Sequence, residues 1–363
     1  MGGRTGTKLN HGRPEIRNRR ICLAAALAAA ALLTGPAAWA AGDLFLFNWT
    51  NYTPPDLLKK FEAETGIKVT LDVYDSNETL LAKMQAGGAS YDVVVPSDYM
   101  VDIMVKQGLL QEIDAAAMPG FGAVVAPHDK PWYDPERKYS APYMWGTTGF
   151  TYDSAKVQGP VDDSWWSIFN PDGPFKGSLA MMNDSVEVFT AAAFYLGIDR
   201  CTESSEDAGR IFKLLEAQKP AVSLYNSDGS VDRMAAGEVV AHMQWNGAAH
   251  RTKLQRPSAV FVYPKEGLNL WADNLVVPKD AKNPENAKIF IAWMLKPENI
   301  GAASNFTTYM NAIKGSEAFM DKALSEDPAI AMPPDYAGRL RPARNCSPAA
   351  VELRDRVWTR LKS

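Results

Sequence analysis

The chain has 363 residues, of which 46% are apolar and 22% charged, and its formal net charge at pH 7 is −4. This composition is that of an ordinary globular protein and excludes a disordered chain, a collagen-like repeat and a small disulfide-dense fold. Residues 1–40 hold six basic residues and one acidic residue, so the rest of the chain carries a net charge of −9. An acidic body argues against a nucleic-acid partner, which requires clustered Lys and Arg, and leaves cationic ligands open.

The first forty residues have the pattern of a secretory signal peptide. A basic segment at 17–20 is followed by an apolar run at 21–33 and by small residues on both sides of Trp39. A membrane-spanning helix needs roughly 17–25 residues, so this run is too short to remain as an anchor. We expect cleavage after Ala40 and a soluble protein in the periplasm. The pair Arg19–Arg20 leaves both the general secretory route and the twin-arginine route open.

Two cysteines, Cys201 and Cys346, follow the predicted cleavage site. An exported compartment is oxidising, so the two can form a disulfide; two unpaired core cysteines are the alternative. The sequence does not decide between them, because a bridge requires the two Cα atoms to lie within about 7 Å of each other.

The amino-terminal part alternates strands and helices. Apolar segments with a strand pattern alternate with amphipathic segments that end at glycine, and the predicted order is strand 44–49, helix 56–65, strand 67–73, helix 78–86 and strand 91–96. A β-α-β-α-β order is typical of a mostly parallel sheet with helices on both faces. The predicted class is therefore α/β.

The rest of the mature chain is less regular. The patterns predict strands at 148–152, 238–245, 259–263 and 274–278, a loop at 164–175, and helices at 186–196, 208–219, 286–295 and 348–362. We predict no catalytic function, no metal and no cofactor, since the mature chain has neither a metal-ligand histidine spacing nor a nucleophile elbow or phosphate-binding loop. Carboxylates are plentiful, so counting alone does not exclude a hydrolase that uses two acids.

Aromatic and small polar residues follow three of the predicted strands. Trp49 and Tyr52 come after the first strand, Ser97 and Tyr99 after the third, and Trp245 at the end of a later one. Ligands of open α/β sheets bind outside the carboxyl ends of the strands, so these residues predict one binding site. Aromatic residues that merely cap the core are the alternative for each strand taken alone.

Carboxylates occur beside these aromatic residues. Asp184 and Glu187 lie three residues apart at the start of a predicted helix, where they can share a face or form a capping box. Asp273 follows Trp271 directly before another predicted strand. Aromatic faces with carboxylates suit an organic cation, because the rings attract ammonium groups and the carboxylates form charge-assisted hydrogen bonds.

The chain resembles the periplasmic spermidine/putrescine-binding proteins of ABC importers. The resemblance covers most of the mature chain and rests on eight ordered segments, FNWTNY at 47–52, EAETGIKV at 62–69, DSNET at 75–79, YDVVVPS at 91–97, PYMWG at 142–146, EVF at 187–189, WNG at 245–247 and YPKEG at 263–267. It implies a two-lobed periplasmic-binding-protein fold (type II), in which each lobe is a mixed, mainly parallel sheet flanked by helices. The implied lobes are 41–146 with 276–320, and 147–275 with 321–363.

The resemblance also implies a set of ligand-binding residues. These are Trp49, Thr50, Asn51, Tyr52, Ser97, Tyr99, Asp184, Glu187, Trp245, Trp271, Asp273 and Tyr309. Asn51 stands where polyamine binders of this family usually carry an acid, and Ala248 lies near the position of another. The departures leave room for a ligand with its own carboxylate, particularly with Arg251 or Arg341 pointing inward.

The sequence thus predicts a monomeric solute-binding protein that delivers putrescine or spermidine to an inner-membrane permease. Closure of the two lobes over the ligand is the expected mechanism. Transport of another small amine, an opine or an amino-acid-like ligand such as γ-aminobutyrate is the alternative within the same class. A periplasmic glycan-active hydrolase with tryptophan platforms and an acid pair is the alternative from a different class.

Overall fold

The computed structural model describes residues 1–4, 6, 42–74, 77–87 and 91–363. The predicted signal-peptide segments at 17–40, with the cleavage site, lie outside the described residues. Residues from Gly42 to Ser363 form one compact unit. Within the described ranges, every helix is too short or too polar to cross a bilayer.

The predicted alternation of strands and helices at the amino-terminal end is confirmed. Its elements are β1 (Gly42–Trp49), α1 (Pro55–Thr65), β2 (Ile67–Tyr74), α2 (Asn77–Gln85), β3 (Val93–Val94) and α3 (Asp98–Lys106). β1 lies between β2 and β3 and pairs with both in parallel. β3 is shorter than the strand predicted at 91–96, because the backbone turns into α3 directly after it.

The end of α1 shows how local sequence sets these bounds. Pro55 occupies the first turn, where its missing N–H costs no helical hydrogen bond. Gly66 ends the helix in the left-handed conformation (φ 73°), and its N–H donates to the Glu62 carbonyl. Leu57 and Phe61 turn inward and fix the helix against the sheet.

Two long strands cross the middle of the fold. β4 (Ser140–Asp153) and β9 (Leu268–Val276) pair with each other antiparallel. Among the described residues the sheet order is β2-β1-β3-β9-β4-β7-β5-β6, so the parallel strands of each end are joined through this central pair. Trp271 and Asp273 lie inside β9 rather than before a strand. The predicted strand 274–278 begins earlier because the whole of β9 is covered by its neighbours.

The remaining elements include six that were predicted in type, with shifted ends, and nine that were not. They are α4 (Trp166–Phe169), β5 (Leu179–Met181), α5 (Ser185–Leu196), α6 (Ser205–Gln218), β6 (Val222–Tyr225), α7 (Ser230–Ala236), β7 (Ala241–Trp245), α8 (Asn246–Gln255), β8 (Ala259–Val262), α9 (Pro284–Met294), α10 (Pro297–Thr307), β10 (Met310–Asn311), α11 (Lys322–Ser325), β11 (Leu340–Pro342) and α12 (Pro348–Lys362). The predicted six are α5, α6, β7, β8, α9 and α12. α10, which was not predicted, begins at Pro297, because a proline in the first turn costs no helical hydrogen bond. The predicted loop at 164–175 contains α4.

The hydrophobic core is divided. One cluster gathers buried residues of 150–268 together with α12. Two others lie on the two faces of β1 and β3 and include α1, α3, α9 and α10. Trp245 contacts both the first cluster and one of the others. The region around Trp245 therefore lies where two separately packed parts of the chain meet.

Cys201 and Cys346 form a disulfide, with their Cα atoms 4.9 Å apart. The bridge joins the connection between α5 and α6 to the segment immediately before α12. The alternative of two unpaired core cysteines is therefore excluded.

Candidate functional site

The first strand delivers two aromatic residues to this meeting region. The indole Nε1 of Trp49 donates to the Val95 carbonyl at 2.8 Å, and this contact holds the ring beside the end of β3. The phenol of Tyr52 is buried and donates to Asp273 Oδ2 at 2.8 Å. Asn51, which adopts a left-handed conformation (φ 57°), turns the chain between them and is exposed, as is Thr50.

Asp273 is a buried carboxylate with two hydroxyl partners. Ser97 Oγ donates to Oδ1 at 2.7 Å, opposite the bond from Tyr52 to Oδ2. Burial raises the pKa of Asp273 to about 6, although both hydrogen bonds favour the charged form. A cation beside this group would offset the cost of keeping the carboxylate ionised.

Asn77 extends this network and was not singled out as a site residue. Its Nδ2 lies 3.1 Å from Ser97 Oγ and 3.1 Å from the Tyr99 hydroxyl, to both of which it donates. The Tyr99 hydroxyl in turn donates to Glu78 Oε1 at 3.2 Å. A lone asparagine at a helix start is a common capping residue, so the sequence held no signal for this role.

Asp184 and Glu187 have different roles. Asp184 caps α5, as its Oδ1 accepts the N–H groups of Val186 at 2.8 Å and Glu187 at 3.0 Å. Glu187 does not complete a capping box; its Oε1 accepts from Asn269 Nδ2 at 3.1 Å. Its Oε2 is buried and has no hydrogen-bond partner in the part of the chain that the structure describes.

Burial and charge together perturb this acid pair. Burial, followed by the charge of Asp184, raises the pKa of Glu187 to about 7. Burial also raises the pKa of Asp184, and the nearby Glu78 adds to the increase. Because Glu78 lies on α2 and Asp184 caps α5, the start of α5 faces the α2–α3 side of the site.

A further acid, Asp98, lies in the same region and was missed by the sequence analysis. Burial is the main cause that raises its pKa to about 8; the charges of Asp273 and Glu187 contribute to this increase, whereas the backbone N–H of Tyr99 and the charge of Arg200 oppose it. Asp98 is the first residue of α3 and directly follows Ser97. The only available signal was its place after a predicted strand, which also suits a helix-capping residue.

Trp271 and Tyr309 form the aromatic wall beside Asp273. Their ring centroids lie 5.0 Å apart at an interplanar angle of 79°, and Tyr309 also contacts Tyr52 edge-on at 6.0 Å. Two glycines admit these rings: a Cβ on Gly146 would lie 2.4 Å from Trp271 Cζ2, and one on Gly247 would lie 2.4 Å from Tyr309 Cε1. The buried Nε1 of Trp271 has no hydrogen-bond partner among the described residues.

Hydrogen bonds and ring contacts, through Asn77 in the case of Tyr99, thus connect six of the predicted residues: Tyr52, Ser97, Tyr99, Trp271, Asp273 and Tyr309. Asp184 and Glu187 make separate contacts at the start of α5. Of the two arginines considered for a ligand carboxylate, Arg251 lies close to Tyr309, since its charge opposes the increase that burial causes in the pKa of that phenol, and Arg341 is exposed. Arg251 donates to the Thr307 carbonyl at 3.0 Å and to Thr308 Oγ1 at 2.6 Å. Within the described ranges no group of acids, histidines and cysteines is arranged to hold a metal ion.

Buried carboxylates and aromatic rings near the junction of two separately packed parts are typical of the two-lobed periplasmic binding proteins. A solved structure titled putative spermidine/putrescine ABC transporter from Listeria monocytogenes has this fold. It superposes with a TM-score of 0.82 at 29% identity, covering 88% of this chain and 98% of that chain. The predicted type II fold is confirmed.

The chain belongs to the bacterial extracellular solute-binding protein family, whose model matches residues 56–333. It is 38% identical over 276 residues to the spermidine/putrescine-binding periplasmic protein of Escherichia coli K12, covering 75% of this chain and 79% of that protein. It is 31% identical over 344 residues to the putrescine/agmatine-binding protein of Pseudomonas aeruginosa, covering 90% and 94%. These relatives are binding proteins rather than enzymes.

Proposed function

We propose that this chain is the solute-binding component of an ABC importer and binds a polyamine, putrescine or spermidine. The observation that carries the proposal is the pair of buried carboxylates Glu187 and Asp273. Asp273 accepts from Tyr52, whose ring contacts Tyr309, and Glu187 accepts from Asn269, two positions before Trp271 on β9. Glu187 Oε2 still lacks a partner in the described residues. The similarity to relatives named for spermidine and putrescine supports the same ligand class.

The charge balance of the site favours a ligand with more than one positive charge. Burial raises the pKa of four carboxyl groups in this region, so each resists ionisation without a counter-charge: Asp98, Asp184, Glu187 and Asp273. Ammonium groups of a polyamine supply that charge, while its methylene chain packs against the aromatic rings. An amino-acid-like ligand such as γ-aminobutyrate would bring a carboxylate into an acidic site, and Arg251 is already engaged.

The proposal includes closure of two lobes and delivery to a permease. We propose that residues 41–146 with 276–320 form one lobe and 147–275 with 321–363 the other; the division of the hydrophobic clusters supports these bounds. β4 and β9 connect the lobes. Asp273 lies on β9 in the 147–275 segment, but its carboxylate is held by Tyr52 and Ser97 of the other lobe. A ligand held by both Asp273 and Glu187 therefore links the two lobes and stabilises the closed form. The protein is proposed to act in the periplasm as a monomer, after cleavage behind Ala40, without catalysing a reaction.

Isothermal titration calorimetry on the exported protein tests the proposal. We expect putrescine or spermidine to bind and γ-aminobutyrate not to bind. Asp273→Ala should weaken binding by about 1.5–3 kcal/mol, the range for a hydrogen bond to a charged group. Asp335→Ala, at an exposed acid in the 334–339 turn, is the matched control and should leave affinity unchanged. Binding of γ-aminobutyrate alone would favour the amino-acid ligand, and an unchanged affinity in Asp273→Ala would refute the site.

A further inference from the structure

A chain of hydrogen bonds connects Glu187 to Arg200 through Asn269. Asn269 Nδ2 donates to Glu187 Oε1 at 3.1 Å, and Arg200 Nη1 donates to Asn269 Oδ1 at 2.7 Å. Asn269 is 6% exposed within β9. Because an amide oxygen only accepts and an amide nitrogen only donates, the bond from Arg200 determines which end of the Asn269 amide faces Glu187.

Arg200 is itself held firmly. Its Nη2 donates to the carbonyl of Arg341 at 2.9 Å and to that of Pro342 at 3.0 Å, both in β11. The next residue, Cys201, is bonded to Cys346. The planar guanidinium therefore reaches β9 and β11 at once from a backbone fixed by the disulfide, which the single ammonium group of a lysine could not reproduce.

We propose that Arg200 is a positioning residue for the ligand-binding carboxylate Glu187 and acts on it through Asn269. The inference rests on the proposed function of the site. The Asn269 amide occupies Oε1 and orients the carboxylate, and the orientation leaves Oε2 for an ammonium group of the ligand. Among the described residues, the side-chain hydrogen bonds of Arg200 go to Asn269, Arg341 and Pro342, and none of them reaches Glu187 or the aromatic wall.

The proposal makes a prediction opposite to that of simple charge repulsion. An arginine near a site for a cation should weaken binding, so its neutralisation would tighten binding if charge alone mattered. If Arg200 instead positions Glu187, Arg200→Gln should weaken putrescine binding by roughly tenfold, at the lower end of the loss seen when outer partners of metal-ligating groups are removed. Loss of the charge also raises the pKa of Glu187, so Arg200→Lys completes the comparison: it keeps the charge but not the planar contacts and should weaken binding about as much as Arg200→Gln, whereas unchanged affinity in Arg200→Lys would assign the effect to charge.

A double-mutant cycle tests the route through Asn269. Calorimetry with putrescine at pH 7.5 should show similar losses for Arg200→Gln and Asn269→Ala, and little further loss in the double variant, because both remove the same link. Arg344→Gln is the control, since Arg344 lies near the same disulfide but pairs with Asp199. Unchanged or tighter binding in Arg200→Gln, or additive losses, would overturn the proposal. Should Arg200→Gln fail to fold, Arg200→Lys carries the test, because it keeps a donor at this position but cannot bond Asn269 and β11 at once.

A measurement without ligand separates failure of this inference from failure of the proposed function. The ionisable groups that influence Glu187 are Asp184 and Asp98, which disfavour its ionisation, and Arg200, which favours it. A carbon-13 NMR titration of the Glu187 carboxyl, assigned with Glu187→Gln, should show a higher pKa in Asn269→Ala and in Arg200→Lys, which keeps the charge but not the planar contacts, and not in Arg344→Gln. This result supports positioning even if no polyamine binds, and an unshifted pKa contradicts it.

Discussion

Polyamine binding should weaken steeply as the pH falls from 8 to 5.5. The cause is the buried pair Glu187 and Asp273, whose pKa values are raised to about 7 and about 6. An amine with a pKa near 10 stays charged over this range, so only the carboxylates change. A raised carboxylate pKa means that the ionised, binding-competent form is present above these values and is lost as the pH falls through them.

The size of the effect follows from the ionised fractions. With a pKa of about 7, Glu187 is ~90% ionised at pH 8 and ~3% ionised at pH 5.5, so its protonation alone lowers affinity about 30-fold, or about 2 kcal/mol. Protonation of Asp273 lowers the affinity by a further factor of roughly four between pH 8 and pH 5.5. Between pH 6 and 7, binding should also release protons, since the ligand favours the ionised form of Glu187.

Calorimetry at pH 5.5, 6.5, 7.5 and 8, in buffers of different ionisation enthalpy, measures both the affinity and the protons released. Glu187→Gln should bind more weakly at pH 8 and show a much flatter pH profile. Glu352→Gln, an exposed position on α12, is the control and should follow the wild type. A wild-type affinity constant that changes by less than about threefold between pH 8 and pH 5.5 would refute the reasoning. A pH dependence of the affinity that has the same slope in Glu187→Gln as in the wild type would also refute it.

Two further predictions concern packing and the disulfide. Gly146→Ala places a Cβ 2.4 Å from Trp271 Cζ2, so it should lower the free energy of unfolding by about 1–3 kcal/mol and weaken polyamine binding. Gly338→Ala is the control, because its Cβ meets no atom within 4 Å, and it should change neither quantity. Thermal melts and calorimetry measure the two effects. The double variant Cys201→Ser, Cys346→Ser opens a loop closed across 145 residues and should lower the free energy of unfolding, measured by urea denaturation, by about 2–5 kcal/mol. An unchanged midpoint and slope of the urea transition would contradict this prediction.

The same acids should make the ligand-free protein more stable as the pH falls from 8 to about 5. Below the pKa that Glu187 has in the unfolded chain, both states are protonated and burial carries no ionisation cost. As the pH rises through the folded pKa of about 7, the folded state must ionise a buried group, and stability falls by about 3 kcal/mol for Glu187 alone. A smaller pH dependence of the urea midpoint in Glu187→Gln would confirm the assignment, and an identical dependence would contradict it.

Local signals in the sequence were sufficient for much of the fold. The proline at the start of α1 and Gly66 at its end were placed correctly, because each acts through its own backbone. Asp184 as a helix cap was also among the predicted alternatives, and the aromatic residues at the ends of β1 and β7 indicated the edge of the sheet at which we propose that the ligand binds.

Features that depend on distant pairing were missed. β9 begins at Leu268, earlier than predicted, because it is buried between β3, β4 and β11, and these strands are far away in sequence. Asn77 and Asp98 enter the site only through tertiary contacts with Ser97 and the buried acids. The role inferred for Asn269 likewise depends on a partner, Arg200, that is 69 positions away in the chain.

A crystal structure of the exported protein with spermidine would test the central claim most directly. The claim predicts an ammonium nitrogen about 2.7–3.2 Å from Glu187 Oε2, another near Asp273, and methylene groups against Trp271. Spermidine bound elsewhere on the chain, or bound here without contact to either carboxylate, would contradict it.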